Sequence, residues 1–276
     1  MLSNKRDFLK GMGASAIVLG VTNHSWAQSL CSVWDKTVLW DLRNALWGRA
    51  GENTTSVYLI GAPWCPFSRQ AVKDYLSGRL PFELRFVPID AVQVRHRAQQ
   101  ADIVINNRDG LERTFLDKDA KAPPIDPDLQ KLIHDANFIA LNGFQKRLTN
   151  IASPTFIYET SRGGASLVGH KPWAQFTTDL KPLGHEPTDF STRLETILAE
   201  TKKFNQVAEM RTIYRTAIHS LPDTGSPSAG CVSYTTFKAV AELHYGDVDW
   251  VQVQALTSNE KEIIFGYVDR RDVTFV

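Results

Sequence analysis

The stretch Val57-Tyr58-Leu59-Ile60-Gly61-Ala62-Pro63-Trp64-Cys65-Pro66-Phe67-Ser68 holds the change of period that decides the architecture. Residues 57–60 are a short run of β-formers, and Gly61-Ala62-Pro63 turns the chain. Pro66 suits the first turn of a helix, where its missing N–H has no helical partner. Phe67, Ala71, Val72, Tyr75 and Leu76 then recur near helical spacing until Gly78 stops the run. The pattern predicts strand, turn and helix, with Cys65 at the helix start.

Outward from this stretch, residues 83–90 read as a second strand that ends or kinks near Pro88. A helix is expected over 91 to about 106, interrupted by Arg108-Asp109-Gly110, and another over 129–141. Ser153-Pro154-Thr155 feeds a β-rich run through Tyr158, and Arg162-Gly163-Gly164 turns it back into a strand over 166–169. Pro172 opens a further helix to 180. The order β-α-β, helices, β-β-α predicts an α/β layer with a mixed sheet. Residues 183–206 read as a linker and a helix begun by the capping box Thr192-x-x-Glu195. From 207 onward, short β runs separated by turns predict a small barrel.

The first residues read as an export signal, with a basic Lys5, Arg6 and Lys10 segment, a weakly apolar 11–21 and a small-x-small site at Ser25-Trp26-Ala27. The run Lys5-Arg6-Asp7-Phe8-Leu9-Lys10 is similar to a twin-arginine pattern with lysine at its first position, which leaves twin-arginine and general secretory export both open. The apolar segment is shorter than the about 20 residues a membrane span needs, and no later run is long enough. A bacterial envelope or periplasmic location is the expectation. The balance of 31 basic and 30 acidic side chains offers no broad basic field for nucleic acid.

Three cysteines follow the signal, Cys31, Cys65 and Cys231, an odd number in a compartment that permits disulfides. A Cys31–Cys231 bridge would staple the two ends and leave Cys65 as the free thiol. Pairing of Cys65 with either cysteine is the alternative. The histidines show no metal-binding spacing, so no metal is expected and no cofactor is implied.

A thiolate is the nucleophile in exchange chemistry, and a helix N-terminus favours an anion through its unpaired N–H groups and dipole. Cys65 is placed there. Position 68 holds serine, whose hydroxyl cannot displace a sulfur, so a mixed disulfide at Cys65 needs an external thiol for release.

Trp64-Cys65-Pro66-Phe67-Ser68 after an apolar strand, together with Ser153-Pro154-Thr155 before a later one, resembles the thioredoxin superfamily. The 89-residue separation of Cys65 and Pro154, and Gly169-His170-Lys171-Pro172 after the hairpin, are similar to periplasmic thiol:disulfide interchange proteins of the DsbC and DsbG type, here as a monothiol CxxS variant. The resemblance implies a thioredoxin-like α/β domain over 52–182, with a helical insertion at about 91–145, after a signal at 1–27 and an N-terminal segment at 28–51. It implies a cis Pro154 beside Cys65. Cys65, Ser68 and Pro154 would be the catalytic group, with Trp64, Pro66, Phe67, Ser153 and Thr155 binding substrate.

Asp249-Trp250-Val251-Gln252-Val253 and Gly266-Tyr267-Val268 are similar to paired strands of bacterial SH3-like domains, which implies a small all-β SH3-like barrel over 207–276. Trp250 and Tyr267 would line a groove for a peptide or cell-wall fragment, unless they are packing residues. The function implied is an exported disulfide isomerase or reductase acting on cysteine-containing exported proteins or glutathione, with a thiol reductant as partner. The alternative is a non-catalytic binding or scaffold protein of an envelope assembly.

Overall fold

The computed structural model describes residues 38–78, 80–89, 96–117, 119–148, 151–175, 178–182, 189–258 and 261–276. Strand β2 (Ser56–Gly61) pairs in parallel with β3 (Glu83–Pro88), which requires the crossover supplied by helix α2 (Pro66–Ser77). On the other side of β2, β4 (Thr155–Thr160) runs antiparallel and carries β5 (Gly163–Val168) as its hairpin partner. A short strand β1 (Gly48–Ala50) adds to β3 and completes the order β1-β3-β2-β4-β5. Alternation along β2 sends Val57 and Leu59 to one face with Ala71, Val72 and Tyr75 of α2, and sends Tyr58 and Ile60 to the other.

Three more helices cover this sheet and its flank: α1 (Val38–Arg43), α3 (Arg97–Phe115) and α4 (Pro127–Arg147). The break expected at 108–110 appears as a kink at Asn107, whose φ is 53°. Beyond it the chain passes so close to the first arm that a Cβ on Gly110 would lie 2.2 Å from the Asp102 carbonyl oxygen. Helix α4 begins with Asp126 accepting from the N–H groups of Asp128 and Leu129, has Pro127 in its first turn and ends on Lys146 and Arg147.

Helix α5 (Phe190–Glu200) is capped by Asp189, which accepts from the Thr192 N–H; Thr192, expected to be the cap, instead donates its hydroxyl to Asp189 Oδ2 at 2.8 Å. The chain turns at Thr201 into β6 (Lys202–Thr212), where a helix tail was expected. Strands β7 (Thr216–His219), β8 (Ser228–Val232), β9 (Thr236–Tyr245), β10 (Val248–Thr257), β11 (Ile263–Asp269) and β12 (Val273–Phe275) complete a second sheet. Its order is β12-β6-β9-β10-β11-β7-β8, antiparallel throughout. The helix expected to start at Pro172 is a single 3₁₀ turn, Trp173–Gln175, among the described residues.

The expected fold class, a thioredoxin-like α/β fold followed by a small SH3-like barrel, is corrected by this architecture. The described chain forms two β-sheets, a mixed one of five strands and an antiparallel one of seven, with few helices. The physical reason lies in strand length and in α4. Strands β6, β9 and β10 are 11, 10 and 10 residues long, well beyond the short strands of a small barrel. Helix α4 gives Ile133, Ala136 and Ala140 to the core of the first sheet and Phe138 and Ile139 to that of the second. Leu243, Trp250 and Tyr267 of the second sheet also join the first core. Among the described residues no helix is long and apolar enough to cross a membrane. The export signal expected at 1–27, and residues 28–37 of the segment expected after it, lie outside the described residues.

Candidate functional site: a buried thiol beside a cis peptide

Strand β2 ends at Gly61, and the turn Ala62-Pro63-Trp64 delivers Cys65 to the start of α2. Cys65 is the N-cap residue, with extended backbone (φ −73°, ψ 122°). Its N–H donates to the Ala62 carbonyl at 3.1 Å and its carbonyl accepts from Arg69 N–H at 3.0 Å. The thiol is free, and it donates to the Ser153 carbonyl oxygen at 3.2 Å. Ser153–Pro154 is a cis peptide, and the sulfur contact brings the segment before β4 against the cysteine.

The hydroxyls around this contact brace backbone. Ser153 Oγ accepts from the Ala62 N–H at 2.9 Å and shares a hydrogen bond with Ser68 Oγ at 2.8 Å. Ser68 is fully buried, and a Cβ on Gly61 would sit 2.7 Å from its oxygen. Position 68 therefore ties the first turn of α2 to the cis loop. Thr155, expected to bind substrate, is also fully buried: its hydroxyl donates to the Ala152 carbonyl at 2.6 Å and accepts from the Ala152 N–H at 3.1 Å, which closes the loop on itself. Its hydroxyl is thus spent within the loop.

The remaining expected residues divide by exposure. Phe67 is 54% exposed and Pro66 is exposed, leaving an apolar surface beside the thiol, while Trp64 is half-buried against the core. Cys65 itself is 4% exposed. Cys231, on β8, is disulfide-bonded; Cys31 lies outside the described residues. Trp250 and Tyr267 are each 1% exposed, so they do not form the open groove expected for a peptide or cell-wall fragment. Trp250 packs edge-on to His219 with ring centroids 5.5 Å apart, and the Tyr267 hydroxyl accepts from Gln252 Nε2 at 3.3 Å.

Three supports of the thiol turn lie outside the expected group of site residues. Arg69 donates through Nη1 to the carbonyls of Thr114 and Phe115, both at 3.0 Å, and through Nη2 to that of Pro63 at 3.5 Å. It thereby locks the cysteine turn to the end of α3, where unpaired helix carbonyls accept a cation. His170 Nε2 lies 3.0 Å from Asp74 Oδ2, and Trp173 Nε1 donates to the Ala71 carbonyl at 3.1 Å, so the segment after β5 clasps α2. The spacing of Arg69 one turn after Cys65 was visible, but its two closer acceptors are 45 and 46 residues away. Among the described residues no group of three or more His, Cys, Asp or Glu side chains could hold a metal.

No protein-family profile matches the chain, and no curated protein sequence matches it either. The functional reading rests on the site itself.

Proposed function

We propose that the protein is an exported thiol–disulfide exchange protein that works through the single thiol of Cys65. The observation that carries the reading is the placement of a free cysteine at the N-cap of α2, with its sulfur 3.2 Å from the carbonyl of the cis Ser153–Pro154 segment. The thiolate is the attacking species in such exchange. The exposed Phe67 beside it gives an apolar approach for a polypeptide.

In the exchange step the deprotonated Cys65 sulfur attacks one sulfur of a substrate disulfide. The new S–S bond forms as the old one breaks, and the departing sulfur leaves as a thiolate that takes up a proton. Serine at 68 and the bonded state of Cys231 leave the described residues without a second thiol to resolve the intermediate. An external thiol, from glutathione or a reductant partner, must then attack the mixed disulfide and return Cys65 to its reduced state. This limits the chemistry to isomerisation or reduction of cysteine-containing exported proteins. The basic, apolar and small-x-small order of residues 1–27 supports a periplasmic or other envelope location.

One observation favours a second reading, a non-catalytic binding or scaffold protein: Cys65 is only 4% exposed. A single experiment separates the two. Native protein is incubated with oxidised glutathione, quenched in acid and mapped by mass spectrometry. Exchange predicts a glutathione adduct on the Cys65 peptide, removed by a small thiol and missing from Cys65→Ala. A thiol that reacts only after denaturation refutes exchange and leaves the binding reading.

A further inference from the structure

A cavity of about 690 Å³ opens between α4, the end of α5 and the face of β6, β9, β10 and β11, away from Cys65. Its size is within the roughly 300–1,000 Å³ of small-molecule sites. The walls are apolar: Leu132 from α4, Leu198 from α5, Phe204 from β6 and Val240 from β9. The polar end is formed by Asp135, Lys131, Gln252 and Tyr267.

Asp135 is 3% exposed. Its Oδ2 accepts from Lys131 Nζ at 2.7 Å and from the Phe265 N–H at 3.1 Å, whereas its Oδ1, equally buried, has no hydrogen-bond partner among the described residues. A buried carboxylate oxygen left this way lacks a donor that folding has not supplied. The Tyr267 hydroxyl uses a lone pair to accept from Gln252, which leaves its proton to give. One acceptor and one donor therefore stand at the same end of an apolar chamber.

Charge fixes the kind of head that fits. Behind the polar end Lys131 and Arg97 stand against Asp135 and Glu262: Lys131 lies 2.7 Å from Asp135 and 3.8 Å from Glu262, and Arg97 pairs with Glu262. His134, beside them, is held neutral because burial, then Arg97 and Lys131, lower its pKa to about 3. At the rim Lys203 faces Asp128 at 3.5 Å, and Asp126 is occupied in capping α4. Asp135 is the buried carboxylate of this group and Lys131 already offsets it, so a further ion would enter the polar end without a counter-charge of its own.

We propose that this cavity binds a small, uncharged, mainly apolar molecule whose head carries both a hydrogen-bond donor and an acceptor, as a carboxamide does. The donor is received by Asp135 Oδ1, the acceptor takes the Tyr267 proton, and the alkyl or aryl body lies against Leu132, Leu198 and Val240. The site is separate from the thiol and does not depend on it.

The test compares three probes with one tail, octanamide, octanoate and octylamine, by titration calorimetry and methyl NMR on the full chain. Octanamide should bind saturably and shift the methyls of Leu132, Leu198 and Val240. The two charged probes should bind at least tenfold more weakly, about 1.4 kcal/mol. Val240→Phe, which fills the wall without touching the polar end, should abolish the titration, and Cys65→Ala should leave it unchanged. Absence of saturable octanamide binding to the wild-type protein overturns the proposal. Equal affinity for all three probes overturns it as well, because the head would then not be read. If Val240→Phe does not fold, the wild-type methyl shifts decide: shifts confined to residues outside the cavity refute the site.

Discussion

Replacing Glu83 with glutamine probes the charge pair on β3, beside the strand that leads into the cysteine turn. Glu83 and Arg85 are each 2% exposed on β3, the parallel neighbour of β2. Arg85 Nε donates to Glu83 Oε1 at 2.6 Å and Nη1 to the Tyr58 hydroxyl at 2.8 Å, while the guanidinium lies 4.6 Å from the Trp47 ring centroid. Glu83→Gln keeps the shape and removes the counter-charge. Breaking a buried pair by deleting one partner costs about 3–5 kcal/mol. The Trp47 face and the tyrosine contact still favour the cation, which places the loss near the lower end, ~3 kcal/mol. In urea the midpoint should fall by on the order of 1 M with little change in slope. Glu83→Gln with Arg85→Met should recover most of the loss, since no buried ion is then left alone. A single variant whose midpoint moves by less than a tenth of that amount, or a double variant as unstable as the sum of both changes, refutes the reasoning.

Three other outcomes follow from the same structure. Burial raises the Asp135 carboxyl to about 6 and lowers the His134 ring to about 3, so the two act in opposite directions. Asp135 holds its proton more tightly when folded, which weakens the fold as pH rises from about 3.8 to 6, whereas His134 resists protonation when folded, which weakens the fold as pH falls from about 6.5 toward 3. Asp135→Asn should uncover the histidine's loss, a steeper fall below pH 6.5 on the order of 1 kcal/mol per unit; thermal midpoints that keep the wild-type slope would contradict this. Gly143→Ala should cost about 1–3 kcal/mol, because its Cβ would lie 2.1 Å from the Ser228 carbonyl oxygen and force α4 off β8; a denaturation midpoint equal to wild type would show that the contact yields freely. Thiol titration of the unfolded, unreduced protein should find one thiol per chain, rising to three after reduction, since Cys65 is free and Cys231 is bonded.

The strand, turn and helix around Cys65 were legible because Gly61, Pro63, Pro66 and Gly78 punctuate a clear change of period. The start of α5 was less so: Asp189 and Thr192 are both good caps, and only the hydrogen bonds decide between them. The first half of β6 was hidden because it is mostly exposed, so no apolar alternation marks it as a strand. The barrel expectation failed on contacts far apart in the chain, such as Asp135 with Phe265, 130 residues away. Sequence identifies Ser68, Thr155 and Arg69 as polar, but it does not say that the first two turn into the cis loop while Arg69 reaches the carbonyls at the end of α3. Trp250 and Tyr267 followed the pleat inward, and the alternation of β10, with Gln252 half-buried and Val251 and Val253 fully buried, did not announce which side would be covered.

Helix α4 also sets how freely the chain can be recombined. Because Phe138 and Ile139 complete the second sheet's core while Ile133 and Ala140 complete the first, neither half carries a finished surface of its own. A fragment ending at residue 182 would show two large apolar side chains to water, and a tail grafted from another protein would have to cover the same patch in the same register. Through α4 the two halves share their packing, so exchanging either one means rebuilding the other's core.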